Sequence, residues 1–543
     1  MDVFPILNSI PFFINKNYVG GYFMKKRILS LILVTLVVTT TLVGCGWTKS
    51  GSTANASGKT FIFAQSSDPL GLDPAFVQDS ESTKVMCNIY EGLVKYADSS
   101  TEIEPCLAET WDISEDGTEY TFHLKKGVKF HDGTDFNADA VVKSVSRQLG
   151  DNATKDMPYA SFTFEGVKSV EAIDENTVKF ILKAPSTPFL ANLAMPLAAP
   201  IVSQKALEEH NGNLNESPVG TGPFKFVSWD KGEKLTIEKN KDYWGDKAKL
   251  DKVIFKFTKE NSVRASELMT GSIDAMDAVD PSDVEKLKEK NINIFNEAGM
   301  NVNYMAFNCS RAPFDNVKVR QAISYAINRD ELVKYLYQGY SEIANTALPK
   351  FIPGYKDGVT GYEYNPEKAK ALLAEAGQEN LNINMVIYST GRQYNTVGPK
   401  LAEAIQNYLS KVGVTAKIDV YEWKEYKEKS KQGEGNITFA GWNGDNGDAD
   451  NFLSLYSGKE IDSGLNVAKY SNIEVDKLLS QAKQLPNGDE RNTIYGKIQD
   501  IVSQDAAWLP ISHANQMAAS ASNVKNFKVH PTSTIFFKDV DKE

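Results

Sequence analysis

Two short loops in the C-terminal half of the chain combine charged and aromatic side chains in a way that could bind a small zwitterion. The first contains Arg392 beside Tyr394, and the second, residues 442–448, reads Trp-Asn-Gly-Asp-Asn-Gly-Asp, with Asp445 as its first carboxylate. An arginine can hold a carboxylate through a two-pronged hydrogen bond, and an aspartate can hold an ammonium. Charged loop residues are often merely solvated, so the elements that position them decide whether these two could act together.

The pattern around these loops predicts a β-α-β-α-β unit. Apolar residues recur with helical spacing or alternate with polar ones, and turn residues separate the runs. The predicted strands are 383–389, 414–420 and 436–442, the helices between them end near Gly413 and Lys431, and a further helix runs from Asn365 to Gly377. In such parallel units the ligand crevice lies at the carboxyl ends of the strands, which is where both loops begin.

The N-terminus predicts export and lipid attachment. Residues 24–27 are Met-Lys-Lys-Arg, residues 28–43 are uncharged and largely apolar, and Leu-Val-Gly then precedes Cys45. This ending resembles the bacterial lipobox, which implies cleavage before Cys45 and lipidation of its thiol. Residues 1–44 are therefore predicted to be a signal peptide, with translation starting at Met24 and residues 1–23 an over-called extension; the alternative is a signal anchor that stays on the chain. Residues 45–60 are predicted to be a flexible tether.

Composition excludes several classes of function. The chain has 543 residues, a formal charge of −11 and a pI near 5.3, which argues against binding nucleic acid. Cys87, Cys106 and Cys309 are too few and too widely spaced for a disulfide framework or a zinc cluster, although one pair could form. No cofactor or metal site is predicted, and no set of residues suggests an enzyme.

Several motifs resemble the peptide/nickel solute-binding proteins of ABC importers, and the resemblance covers essentially all of residues 60–540. It rests on the segment 107–133, which contains Leu-Ala-Glu-Thr-Trp and Tyr-Thr-Phe-His-Leu, and on shorter matches further along the chain. These are Val-Gly-Thr-Gly-Pro-Phe at 219–224, Tyr-Trp-Gly at 243–245, Gly-Ser-Ile-Asp-Ala at 271–275 and Pro-Phe-Asp-Asn-Val-Lys-Val-Arg-Gln-Ala at 313–322.

The resemblance implies an α/β fold of the periplasmic-binding-protein-like type II class. This fold is bilobal, with two α/β lobes joined by a hinge and one lobe enlarged by an extra subdomain. Residues 61–299 would form lobe I, including the subdomain at about 71–218. The chain would cross to lobe II near Met300, stay there over residues 300–513, and return to lobe I over 514–543 after His513.

Within this family the segment 441–452 is most similar to the dipeptide-binding branch. That similarity assigns Asp445 to the peptide ammonium and Arg392 to the peptide carboxylate. These two residues lie in the same two loops that the strand rule selects. The remaining candidates are predicted to line the site: Trp442, Tyr394, Asn443 and Gly444. Trp442 and Tyr394 would form apolar walls, with core packing as the alternative. The branch often has Thr at the position of Asn443 and Pro at that of Ala449, which leaves the ligand open.

The predicted function is an extracytoplasmic, lipid-anchored, monomeric binding protein of a bacterium. It would capture dipeptides or other short peptides by lobe closure and deliver them to the permease and ATPase subunits of an ABC importer. Alternatives within the family are longer peptides, glutathione, haem or a nickel chelate, and a peptide-sensing receptor would be a different class. A hydrolase dyad at His131-Asp132 and a calcium loop at 445–450 are disfavoured, since the first lacks a second cluster and the second lacks the required spacing.

Overall fold

The computed structural model describes residues 58–164, 166–359 and 361–543, which belong to one unit, Gly58–Glu543. The predicted signal segment, the lipidation site Cys45 and most of the tether lie outside the described residues. Within these described ranges, no helix is both long enough and apolar enough to span a membrane.

The strands and helices follow one another along the whole described chain. The strands are β1 (Thr60–Gln65), β2 (Val94–Tyr96), β3 (Ile103–Pro105), β4 (Ala108–Ile113), β5 (Glu119–Leu124), β6 (Val167–Asp174), β7 (Thr177–Leu182), β8 (Phe224–Asp230), β9 (Lys234–Lys239), β10 (Lys252–Phe257), β11 (Ala275–Asp277), β12 (Asn293–Glu297), β13 (Asn301–Phe307), β14 (Ser341–Ile343), β15 (Asn382–Tyr388), β16 (Thr415–Tyr421), β17 (Ile437–Asn443), β18 (Trp508–Ala514), β19 (Gln516–Ser520), β20 (Val524–Lys525) and β21 (Asp541–Lys542). The helices are α1 (Ser80–Met86), α2 (Ala138–Ser146), α3 (Ala160–Phe164), α4 (Phe189–Asn192), α5 (Gln204–Glu209), α6 (Asn261–Met269), α7 (Val284–Glu289), α8 (Val317–Tyr325), α9 (Arg329–Leu336), α10 (Pro366–Glu375), α11 (Lys400–Ser410), α12 (Trp423–Gln432), α13 (Asp450–Leu453), α14 (Ile473–Gln484) and α15 (Asp489–Gln504).

Lobe I is built on a seven-stranded sheet with the strand order β12-β19-β11-β1-β10-β9-β8. Its core is rich in aromatic rings: Phe63 contacts Phe255 and Phe537 with ring centroids 6.0 and 5.6 Å apart. Phe537 comes from the last segment of the chain, so the C-terminal residues complete the core of the first lobe. Lobe I is therefore discontinuous in sequence.

A separate four-stranded antiparallel sheet, β4-β5-β7-β6, forms the subdomain, and α2 packs on it. Its buried core begins at Leu93 and ends at Ile201, whereas the buried apolar residues of 72–90 and 202–214 pack with lobe I. The segments that flank the small sheet therefore cover the large one, and the predicted subdomain bounds of about 71–218 stay a prediction.

Lobe II is built on a six-stranded sheet with the order β14-β18-β13-β17-β15-β16. Strand β15 lies between β16 and β17 and is parallel to both, and α11 and α12 make the two connections. The predicted β-α-β-α-β unit is confirmed, with each strand shifted by one residue. The helix predicted from Asn365 is also confirmed, since the Asn365 side chain accepts a hydrogen bond from the Lys368 amide at the start of α10.

The chain passes between the two large sheets at two adjacent places. One lies between β12 and β13, at residues 298–300, and the other is Asn515, between β18 and β19. Asn301 ties these passages together, because its side chain donates to the Ala514 carbonyl and accepts from the Ala514 amide, both at 2.8 Å. The crossing points near Met300 and His513, which the family resemblance implies, stay a prediction.

Candidate functional site

The two loops singled out from the sequence meet at one edge of the lobe II sheet. They follow β15 and β17, which are adjacent and parallel, so their carboxyl ends share an edge. The Asn443 amide nitrogen donates to Gln393 Oε1 at 2.9 Å, and the ring of Tyr394 lies directly over Gly441. The strand rule therefore placed the loops correctly, and they support each other through direct contacts.

The Asp445 carboxylate is partly buried where the subdomain meets lobe II. The Tyr159 hydroxyl donates to its Oδ1 at 3.0 Å, and the Asn451 amide reaches its Oδ2 at 3.5 Å. Burial raises the pKa of Asp445 to about 6, although both hydrogen bonds act in the opposite direction. A carboxylate with too few donors around it is suited to receive an ammonium group.

Asn451 orients both ends of the second loop. Its Oδ1 accepts hydrogen bonds from the Trp442 indole nitrogen at 2.8 Å and from the Asp445 amide at 3.1 Å. The half-buried Trp442 is thereby fixed beside the carboxylate. Gly444 is buried between them, and its amide donates to the Met300 carbonyl; a Cβ atom there would lie 2.7 Å from the Phe452 ring, so glycine is required for this close approach.

Arg392 presents a guanidinium group that forms no ion pair with a carboxylate among the described residues. Its Cζ atom stacks 3.4 Å from the centre of the Trp423 ring, and its Nε atom is buried without a hydrogen-bond partner. Burial lowers the pKa of Arg392, because the charged guanidinium loses hydration that the neighbouring groups do not fully replace. The arginine is thus held in place by an aromatic ring and is available to an anion.

Tyr394 lies in the core of lobe II, with 6% of its surface exposed. Its ring meets that of Tyr388 edge to face at 6.0 Å, and its other side covers Gly441. This position fits the core-packing alternative, in which Tyr394 supports the loop of Arg392. The next residue, Asn395, closes that loop through paired backbone hydrogen bonds with Arg392 at 2.8 and 2.9 Å.

Several residues at this site were not predicted from the sequence. Tyr159 and Tyr96 reach Asp445 from the subdomain side, with the Tyr96 hydroxyl 3.3 Å from the Asp445 carbonyl oxygen, and Trp423 supports Arg392. Tyr159 and Tyr96 are hundreds of positions away from Asp445, so no local pattern could reveal them. Trp423 could have been suspected, since it starts α12 directly after β16, at the same edge of the sheet.

The other carboxylate of the second loop, that of Asp448, has a structural partner. Asp448 forms a buried, two-pronged ion pair with Arg491 at 2.6 and 2.9 Å. Over residues 58–164, 166–359 and 361–543, no group of three or more His, Cys, Asp or Glu side chains is arranged to hold a metal ion.

His131 and Asp132, the disfavoured hydrolase dyad, each have partners elsewhere in the fold. The His131 ring contacts the Gly222 carbonyl at 2.9 Å, and Asp132 accepts hydrogen bonds from Thr134 and Ser203 in a turn. Burial lowers the pKa of His131 to about 4, so the ring stays neutral at physiological pH.

The three cysteines at 87, 106 and 309 are free thiols.

Two α/β lobes joined by paired crossings, with an unpaired cation and a partly buried carboxylate at the edge of one lobe, define the class of bilobal solute-binding proteins. Residues 102–464 match the family described as "Bacterial extracellular solute-binding proteins, family 5 Middle". The chain belongs to this family, which confirms the predicted resemblance and the predicted type II fold. The family is one of extracellular binding proteins of bacteria, not of enzymes.

Characterised relatives cover nearly the whole chain. It is 36% identical to heme-binding protein A of Haemophilus influenzae, over 93% of this chain and 97% of that protein. It is also 36% identical to the dipeptide-binding protein of Escherichia coli strain K12, over 90% of this chain and 96% of that protein.

Solved structures agree with this assignment. The ABC transporter-associated periplasmic binding protein DppA from Helicobacter pylori, in complex with the peptide STSA, superposes with a TM-score of 0.79 at 37% identity, covering 90% of this chain and 98% of that one. The dipeptide binding protein from Pseudoalteromonas sp. SM9913, in complex with Met-Leu, gives a TM-score of 0.81 at 28% identity, covering 89% and 100%.

Proposed function

We propose that this chain binds short peptides with free termini between its two lobes and delivers them to an ABC importer. The observation that carries the proposal is the pairing of an uncompensated guanidinium, Arg392, with a partly buried carboxylate, Asp445, on neighbouring loops. Arg392 would hold the peptide carboxylate and Asp445 the peptide ammonium. The names of the peptide-binding relatives support the same ligand class.

Trp442 and Asn443 would contact the bound peptide between these anchors. The Asn443 Oδ1 atom is buried and has no hydrogen-bond partner, so it can accept a hydrogen bond from a ligand amide. The buried Gly444 and Tyr394 would act by shaping and supporting the loops. Because a peptide spans at most about 3.6 Å per residue, two fixed anchors also limit the length of ligand that can use both.

Lobe closure would be favoured by contacts between the two lobes that exist only in the closed state. The hydrogen bond from Tyr159 to Asp445 is one of these, and that from the Asn446 amide to Asn192 Oδ1, at 2.6 Å, is another. A peptide ammonium at Asp445 would add to this same junction, so binding and closure would favour each other. The importer would recognise the closed form.

Calorimetric titration of residues 46–543 tests the ligand class. Free di- and tripeptides and the tetrapeptide STSA are compared with N-acetylated and C-amidated forms, and with hemin, reduced glutathione and a nickel–histidine complex. We expect free short peptides to bind and either blocked terminus to abolish binding. Binding of hemin, glutathione or the nickel complex in place of every peptide would overturn the proposal.

Matched variants test the two anchors. Asp445→Asn and Arg392→Met should each weaken peptide binding by about 2–5 kcal/mol, because each leaves one charge of the ligand without its partner. The controls are Asp462→Asn and Lys497→Gln, which remove exposed charges from the same lobe. Equal effects of a control and its matched variant would show that overall charge, and not the proposed anchors, governs affinity.

The membrane-bound, monomeric state is part of the proposal. Cys45 would carry the lipid, so Cys45→Ser should move the protein from the membrane fraction to the soluble fraction. Light scattering of the 46–543 fragment should give the mass of one chain. Loss of peptide uptake on deletion of the gene separates an importer from a sensing receptor, since a receptor would leave uptake intact.

A further inference from the structure

The indole ring of Trp423 is flanked by two cations. The Arg392 Cζ atom lies 3.4 Å from the ring centre, and the Lys427 Nζ atom lies 5.6 Å from it. Trp423 and Lys427 are four residues apart in α12 and so project from one face of that helix. Because α12 starts directly after β16, this face lies at the sheet edge where the Arg392 loop begins.

Neither cation has an ion-pair partner within the described part of the chain. On the same helix, Lys429 is paired with Glu434 at 2.7 Å, whereas Lys427 is not paired with the neighbouring acids Glu425 and Glu428. Desolvation lowers the pKa of Lys427, and the positive charge of Arg392 lowers it further. Two positive charges that disfavour each other in this way attract negative charge from outside the protein.

The acidic group that faces Arg392 from the other lobe does not neutralise this pair. Glu81, in α1, is close enough to stabilise the charge of Arg392, but its carboxylate accepts a hydrogen bond from the Ser66 hydroxyl at 2.8 Å and lies 3.9 Å from Lys84 Nζ. It is therefore engaged within lobe I. A ligand that brings one carboxylate would neutralise Arg392 and leave Lys427 uncompensated.

We propose that Lys427 acts beside Arg392 as a specificity-determining residue that favours peptides whose C-terminal residue is Asp or Glu. The inference rests on the proposed function, in which Arg392 holds the main-chain carboxylate of that residue. The side-chain carboxylate of the same residue would then reach Lys427 across the face of Trp423. The preference applies to the C-terminal position alone, because the ammonium end of the peptide is bound at Asp445.

Titration with Ala-Glu and Ala-Gln tests this selectivity, because the two ligands have the same shape and differ by one charge. We expect Ala-Glu to bind roughly two- to fivefold more tightly at low salt, as a partly exposed ion pair allows, and the ratio to fall at high salt. Glu-Ala, compared with Gln-Ala, should show no such gain. Equal affinities for Ala-Glu and Ala-Gln would overturn the inference.

Variants of α12 assign the effect to one side chain. Lys427→Gln should reduce the ratio of the Ala-Glu affinity to the Ala-Gln affinity to about one, and Lys427→Glu should bring this ratio below one. The control is Lys424→Gln, which changes an exposed lysine of the same helix and should preserve the ratio. An unchanged ratio in Lys427→Gln would overturn the assignment. If neither dipeptide binds the parent protein, the proposed function itself fails; if both bind equally, the selectivity alone fails.

Discussion

The hydroxyl of Tyr159 donates a 3.0 Å hydrogen bond to the carboxylate of Asp445 and thereby joins the subdomain to lobe II. Tyr159 lies just before α3, in the segment that packs against the small sheet, whereas Asp445 follows β17. The group proposed to bind the ligand ammonium is therefore also a contact between lobes. Changes at either residue should affect ligand binding and lobe closure together.

Removing the tyrosine hydroxyl should weaken peptide binding without abolishing it. In Tyr159→Phe, Asp445 loses a donor that lowers its pKa and a bond that holds the lobes together. We expect a loss of about 1 kcal/mol, close to fivefold in affinity, because a typical hydrogen bond contributes that much. Titration at pH 7.5 measures it, with the exposed Tyr335→Phe as control. Full affinity in Tyr159→Phe would show that closure does not depend on this bond.

Peptide affinity should fall as the pH is lowered through 6. The pKa of Asp445 is raised to about 6 by burial, and only its ionised form attracts an ammonium. Between pH 7.5 and pH 5 we expect affinity to decrease by roughly tenfold, since one pH unit below a pKa leaves about a tenth of the group ionised. His131 and His513 have pKa values lowered to about 4 and stay neutral over this range.

Titrations in matched ionic strength across this range provide the measurement. Asp445→Asn, if it retains any binding, should lose the dependence, while Asp462→Asn should keep it. A flat profile in the parent protein would mean that Asp445 does not bind the ligand or is already ionised at pH 5.

The same carboxylate should reduce the stability of the protein at high pH. A pKa raised above the ordinary value of 3.8 means that folding favours the protonated acid. The destabilisation is absent below about pH 4, grows as the pH rises through 6 and is fully present above it. At pH 8, without peptide, Asp445→Asn should therefore increase the free energy of unfolding by about 3 kcal/mol at most.

Urea denaturation at pH 8 and pH 4 tests this expectation. The difference between Asp445→Asn and the parent should shrink at the lower pH, and Asp462→Asn should show no such pattern. A variant less stable than the parent at pH 8 would indicate that the Asp445 charge is compensated by the protein.

A side chain at Gly441 should disturb the support of Arg392. A Cβ atom there would lie 2.1 Å from the Tyr394 ring, which is too close for any contact. We expect Gly441→Ala to reduce stability by about 1–3 kcal/mol, as overpacking does, and to weaken peptide binding by shifting the 391–395 loop. Gly166→Ala is the control, since a Cβ at Gly166 meets nothing within 4 Å. Unchanged melting and affinity in Gly441→Ala would contradict the packing described.

The sequence by itself determined the local elements and the loops that carry charge. Alternating and helical apolar patterns placed β15, β16 and β17 within one residue of their positions, because burial of one face dictates such spacing. The helices between them were also found, although α11 ends at Ser410, three residues before the predicted end near Gly413. The parallel arrangement then put the loops of Arg392 and Asp445 at one edge. The strands, the helices and the loop positions depend on residues that are close together in the sequence, so they could be derived without knowledge of the tertiary structure.

Only the tertiary structure decided what surrounds those charges. Tyr159 is 286 positions from Asp445, and only the packing of the subdomain against lobe II brings the two together. The same packing buries Tyr394, which the sequence predicted as an apolar wall with core packing as the alternative. It also stacks Arg392 on Trp423 and gives it no ion pair among the described residues. Burial and partnership depend on which distant segments meet, and periodicity within a single segment carries no information about that.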